Sequence, residues 1–185
     1  MLGSLSAKRR RELTATVISM EPAAIPRSEV TIRPAVAGDA PAITRIWHAG
    51  WTDGHLGNVP DALLAFRDEA SFGRRATDRI ADTTVAVVSG EVVGLTMVVA
   101  DELEQIYVAA RLRGLGVADA LITDAERRIR AAGHDRAWLA VVPGNARARR
   151  FYERRGWTDE GRFEYPAEAG SEPVQVPAQR YVKTL

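Results

Sequence analysis

The stretch EQIYVAARLRGLGVADALITDA, residues 104–125, decides the fold. Residues 104–108 have strand composition, residues 109–113 form a short loop bearing Arg111 and Arg113, and Gly114 and Gly116 lead bare backbone into a helix. Val117, Leu121, Ala125 and Ile129 recur every four residues and give that helix one apolar face. The first N–H groups of such a helix lack intrahelical partners and sit at the positive end of its macrodipole, so they suit an anion such as phosphate. Glycine removes the Cβ that blocks close approach, and the two arginines add planar, charged donors matched to phosphate oxygens. The same pattern also serves a ligand-free turn packed tightly on a sheet. Neither G-x-x-x-x-G-K-[ST] nor the third glycine of G-x-G-x-x-G is present, which argues against a P-loop and a dinucleotide fold.

Downstream, residues 138–157 read WLAVVPGNARARRFYERRGW, a strand, a turn and a second helix. Asn145 stands where an N-cap is needed. Ala148, Phe151 and Tyr152 are three or four residues apart and share a helix face. Gly156, following Arg154 and Arg155, supplies a C-terminal stop that the cationic pair favours.

These two stretches carry a resemblance. Residues 113–118, RGLGVA, are similar to the Q/R-x-x-G-x-G/A motif of the GNAT superfamily of N-acyltransferases, and residues 145–157 to its N-x-x-A-x-x-F-Y-x-x-x-G-[FW] pattern. The likeness extends over residues 30–183 and is densest over residues 104–157. It implies an acetyl-CoA pyrophosphate held at the turn by Arg111, Arg113, Gly114, Leu115, Gly116, Val117 and Ala118, with pantetheine running along Ile106, Tyr107 and Val108 and touching Asn145. The implied reaction is direct attack by a primary amine of a small molecule or peptide on the thioester, with a backbone N–H beside Ile106 stabilising the oxyanion. Tyr152 is then the acid that protonates the departing thiolate, or else a core aromatic with a satisfied hydroxyl. Glu104 is the candidate base, on the coenzyme-bearing strand with the side-chain parity of Ile106 and Val108; an ordinary exposed carboxylate is the alternative. In this superfamily the first two helices and their linker form the acceptor wall, which here offers Trp47, Trp51, Asp53 and His55. The loop expected over residues 166–177 borders the same region.

The remaining sequence fits that frame. Residues 30–33 read as a strand, and residues 40–51 as a helix with Asp39 as N-cap. A second helix is expected over residues 61–72. Residues 83–88 and 91–100 form a hairpin about Ser89-Gly90. Strands over residues 102–108, 136–142, 157–165 and 179–183 and helices over residues 116–132 and 146–155 complete an α/β (α+β) fold. The resemblance implies a mixed, mostly antiparallel sheet of about seven strands with about four helices and splayed central strands that hold the coenzyme. Residues 1–28 read as a loose leader, with Met20 a second candidate start, and residues 29–185 as one domain.

Composition narrows the function. The chain has 185 residues, 46% hydrophobic and 26% charged, which suits a folded globular domain. Its formal charge of +1 gives no global attraction to nucleic acid or anionic membrane, so any anion site must be local. With no cysteine, disulfides, thiolate metal sites and a cysteine nucleophile are excluded, and a reducing cytoplasm is the expected compartment. His48, His55 and His134 lack metal-ligand spacing, so no metal is expected. Two rival readings are a catalytically silent acyl-CoA-binding domain of the same fold and a nucleic-acid module using Arg147, Arg149, Arg150, Arg154 and Arg155. Neither a nucleic-acid nor a membrane partner is expected, while a homodimer is compatible with the resemblance.

Overall fold

The computed structural model describes residues 29–185; the leader expected over residues 1–28 lies outside the described residues. Strands β1 (Thr31–Pro34), β2 (Thr83–Val88), β3 (Glu91–Val99), β4 (Glu102–Val108), β5 (Arg136–Val141), β6 (Thr158–Ala167) and β7 (Val174–Thr184) form one sheet. Their order is β1-β2-β3-β4-β5-β7-β6. Helices α1 (Ala40–His55), α2 (Asp61–Leu64), α3 (Glu69–Asp78), α4 (Val117–Ala131) and α5 (Ala146–Arg154) flank it. The α/β architecture is the expected one, with one helix more.

Both faces of the sheet are covered, which is why β2 and β3 read as continuous Val-rich runs rather than strict alternation. On one face, Trp47 of α1 and Phe72 of α3 pack over Leu95 and Met97. All four are fully buried, and each large side chain contributes roughly 1.5–3 kcal/mol through the apolar surface it removes from water. On the other face, Val117 and Leu121 of α4 cover Ala86 and Val93, while Ile122, Ala125 and Ile129 meet Leu103, Leu139 and Tyr181. At the β2–β3 hairpin both Ser89 and Gly90 have positive φ, the turn geometry whose twist suits two antiparallel strands.

Two irregularities shape the middle of the sheet. Strands β4 and β5 are parallel and share a single register pair, Glu102 with Trp138. Past it they diverge, leaving a gap between Ile106 and Tyr107 on one side and Ala140 to Val142 on the other. The second is a bulge: Val98 faces Leu103 and Met97 faces Gln105, so Glu104 has no partner in β3. The extra residue resets side-chain alternation. Gln105 accepts a 3.2 Å hydrogen bond from Trp47 Nε1 on the α1 face, whereas Ile106 packs toward α4. The expected shared parity of Glu104 with Ile106 therefore fails, and Glu104 joins the α1 and α3 side.

Three element boundaries also differ from expectation. Helix α1 runs four residues beyond Trp51, because Gly50 and Gly54 are buried on it against other elements and helix packing overrides their low propensity. The single helix expected over residues 61–72 is two: α2 stops at Leu64, and Asp68 starts α3 by accepting a 2.7 Å bond from Ser71 N. The loop expected over residues 166–177 is largely hairpin, with Pro166 opposite Gln175 and Pro177 opposite Glu164. Pro166 is tolerated on the edge strand β6, and Pro177 lies before the part of β7 that pairs with β5. Asp39 does begin α1, but its carboxylate turns back to accept from Arg33 at 2.6 and 2.9 Å and from Val36 N at 2.9 Å, not from the helix.

Candidate active site

The gap between β4 and β5 opens at one end onto the glycine turn. Gly114 and Gly116 have φ of 79° and 91°, left-handed backbone that a side chain would strain. Gly116 is the N-cap of α4 and donates no side chain to it, so the first N–H groups of the helix face outward without a capping acceptor. Val117 is buried in the core and Leu115 and Ala118 are half-buried, which leaves backbone N–H groups as what these residues offer an anion. Arg113 bonds Val108 O at 3.3 Å through Nε and pairs with Asp53 through its terminal nitrogen. Arg147 reaches the same Asp53 carboxylate at 3.2 Å. Two guanidiniums thus hold the Asp53 carboxyl below its usual range, Arg113 chiefly. Arg111 lies outside this cluster, paired with Glu91 on the surface. The uncapped helix end, the bare turn and Arg113 form a donor set that fits a pyrophosphate.

At the other end the gap widens into a cavity of about 380 Å³ lined by Tyr152, Asn145, Ile106 and Tyr107 together with residues of α1, α3 and β6. Asn145 caps α5, its Oδ1 accepting from Ala148 N at 3.1 Å. Tyr152 is 7% exposed, and none of the hydrogen bonds among the described residues involves its hydroxyl, which lines the cavity. Burial pushes its pKa well above the ordinary phenol value, so the hydroxyl keeps its proton. Tyr107 is raised for the same reason, and its ring lies against Gly50 of α1.

The acceptor wall divides the expected residues. Trp47, Trp51 and His55, four residues apart, all line the cavity. His55 stacks on Trp51 with ring centroids 5.0 Å apart, and its Nδ1 lies 3.0 Å from Trp51 O. Burial lowers its pKa to about 4, so the ring is neutral near pH 7; since a carbonyl only accepts, Nδ1 carries the proton and Nε2 is left an acceptor. Asp53 was expected on this wall and is not there. Because α1 continues through residue 55, Asp53 is turned off the Trp47-Trp51-His55 face and belongs to the arginine cluster at the turn.

Glu104 lines the cavity, yet both its oxygens hold the Arg79 guanidinium, at 3.1 and 2.6 Å. Glu102, two residues earlier, is engaged differently. It accepts one 3.1 Å bond from the Tyr165 hydroxyl, and burial, helped by the nearby Glu104 and Asp101 charges, raises its pKa to about 7. The sequence reading passed over Glu102, Tyr165, Arg67 and Arg75, all of which line this cavity. Glu102 sits on the strand already singled out, and the bulge that makes it differ from Glu104 leaves no mark in composition. Tyr165 was hidden by the loop expected after it. Arg67 was hidden by the undivided helix, and Arg75 lies on the part of α3 beyond residue 72, where the expected helix stopped. Of the arginines on and just after α5, Arg147 binds Asp53, Arg149 binds Tyr181 and Asp159 and Arg155 binds Thr123 and Asp119, while Arg150 and Arg154 are exposed.

The sequence profile described as the acetyltransferase (GNAT) family matches residues 42–157. No curated protein matches the sequence. Among solved structures, a GCN5-related N-acetyltransferase from Rhodopseudomonas palustris is similar at 23% identity and TM-score 0.65, covering 84% of this chain and 95% of its own. The PaiA N-acetyltransferase of Thermoplasma acidophilum, solved with coenzyme A, gives 15% identity and TM-score 0.63 over 84% and 99% of the two chains. A phosphinothricin acetyltransferase from Sinorhizobium meliloti, solved with acetyl-CoA, gives 20% and 0.64 over 85% and 89%.

Proposed function

The chain belongs to the acetyltransferase (GNAT) family, and from that premise we propose that it transfers an acetyl group from acetyl-CoA to the primary amine of a small molecule, with Glu102 as base and Tyr152 as acid. The observation that carries this reading is one continuous cavity in which a protonated, unpartnered Tyr152 hydroxyl and a carboxyl poised near pH 7 flank the gap between β4 and β5. Acetyl-CoA supplies a thioester carbonyl activated toward amines. Its pyrophosphate is assigned to the backbone N–H groups of residues 114–118 with Arg113, and its pantetheine to the open edge of β4, where Ile106 to Val108 have no partner in β5.

The chain's own groups then have distinct tasks. Glu102 accepts a proton from the incoming ammonium and so frees the lone pair; a base near the working pH combines the right ionisation with useful driving force. The backbone N–H beside Ile106 receives the developing oxyanion. As the new C–N bond forms and the C–S bond breaks, Tyr152 gives its proton to sulfur. Glu104, the base expected from sequence, is assigned here to fixing the wall through Arg79.

A thiol-release assay with acetyl-CoA across amines, amino acids, polyamines and peptides tests this. Amine-dependent release that falls about 10²-fold in Glu102→Gln and is markedly slowed in Tyr152→Phe is the expected result. Tight coenzyme binding with no release for any amine identifies a silent binding domain instead.

A further inference from the structure

Deepening that reading, and resting on it, we infer that the acceptor is a small zwitterion, an amine that also carries a carboxylate, whose anionic end is held by Arg67 and Arg75. Both arginines line the cavity opposite the β4 carboxylates, and both are short of counter-charge. Arg67, between α2 and α3, is only 9% exposed. Its terminal nitrogens donate to two backbone carbonyls, Phe66 O at 3.0 Å and Glu168 O at 2.8 Å, while its buried Nε has no partner. No carboxylate among the described residues lies within ion-pair distance of it. Burial, reinforced by Arg75, lowers its pKa to about 10, so it stays charged at neutral pH.

Arg75 projects from α3 across the face of Trp47, 4.6 Å from the ring centroid. Its one ion-pair partner among the described residues is Glu168, at 3.6 Å and 73% exposed, where water screens the pair, and the more distant Glu104 carboxylate is already held by Arg79. No hydrogen-bond acceptor among the described residues engages its guanidinium. Two buried guanidiniums side by side repel, and the exposed Glu168 and the Arg79-bound Glu104 offset them only in part, so an anion brought by a ligand would stabilise this wall. A carboxylate suits the two planar forks.

The far wall asks for the opposite charge. Glu102 and Tyr165 stand on β4 and β6, with Glu104 neutralised by Arg79 between them and the arginines. An acceptor whose carboxylate meets Arg67 and Arg75 presents its ammonium to Glu102 and to the thioester end of the cavity. The cavity of about 380 Å³ also has to admit the acetyl end of the coenzyme beside Tyr152, which keeps the acceptor to about the size of an amino acid.

Matched acceptors test this: free α- and ω-amino acids, their amides, and the amines lacking the carboxyl group. The acids are expected to be used at least about tenfold better in kcat/KM than their amides, as for a hydrogen-bonded charge. In Arg67→Gln and in Arg75→Gln the acid-to-amide ratio is expected to collapse toward one through KM, with the acetyl-CoA Kd unchanged. Arg75→Gln guards against misfolding, since Arg75 has no backbone hydrogen bond to lose. A preference for amides or neutral amines, or an equal loss on acid and amide, overturns the proposal. Should no amine release thiol, the catalytic reading fails and this one is decided separately by binding. N-acetyl amino acids, but not their amides, must then raise the melting temperature of the wild-type protein and not of Arg67→Gln. Equal shifts, or none, sink it.

Discussion

At the scale of single residues, Glu102 and Glu104 separate by what they touch. Glu104 spends both oxygens on Arg79, while Glu102 has one phenolic donor and a pKa raised to about 7. With Glu102 as base, kcat/KM is expected to rise with pH through an apparent pKa near 7. Glu102→Gln should remove that rise, and Glu104→Gln should keep it while loosening the Arg79 wall; a lost limb in Glu104→Gln alone returns the role to Glu104. The same group links to stability. Its folded pKa lies above the unfolded value, so its favourable contribution is complete below about pH 4.5 and is lost as pH climbs to about 7. Glu102→Gln is therefore expected to melt higher than wild type at pH 8, with the gap closing below pH 5. Denaturation scans at the two pH values check the sign.

Elements explain how much of this the sequence disclosed. The turn at Gly114 and Gly116, the apolar face of α4 and the Asn145 cap were legible because each is a local pattern in which spacing implies geometry. The bulge at Glu104 was not, since an unpartnered residue is defined by the register of a neighbouring strand. Nor was the length of α1, where Gly54 looks like a breaker and is instead, like Gly50, a contact point. A Cβ at Gly50 would lie 2.4 Å from Cδ1 of the half-buried Tyr107 ring, whereas one at Gly73 in α3 would meet nothing closer than Thr44 Cγ2 at 3.9 Å. Alanine gains about 1 kcal/mol of helix propensity at either site. At Gly50, overpacking costs about 1–3 kcal/mol and reverses the sign. Urea titration should show Gly73→Ala more stable than wild type and Gly50→Ala less; equal gains would mean that α1 does not press on β4 as described.

Taken whole, the molecule is a sheet with helices on both faces and a partial division down its centre, where β4 and β5 share a single register pair, Glu102 with Trp138. A ligand lying in that gap binds the folded chain and not the unfolded one, so acetyl-CoA at a hundred times its Kd should stabilise by about 2.7 kcal/mol. A thermal shift titration reads this directly, and a desulfo analogue that keeps the pyrophosphate should retain most of it. Pantetheine, which lacks the pyrophosphate, should retain little. The short β4–β5 pairing also bears on how long a copy of the protein lasts. Opening along that line frees two strand edges that a protease can engage, and every occupied gap withdraws a molecule from that population. Cellular lifetime should then follow the supply of the thioester, with starved cells clearing the enzyme and well-fed cells keeping it, without any dedicated signal.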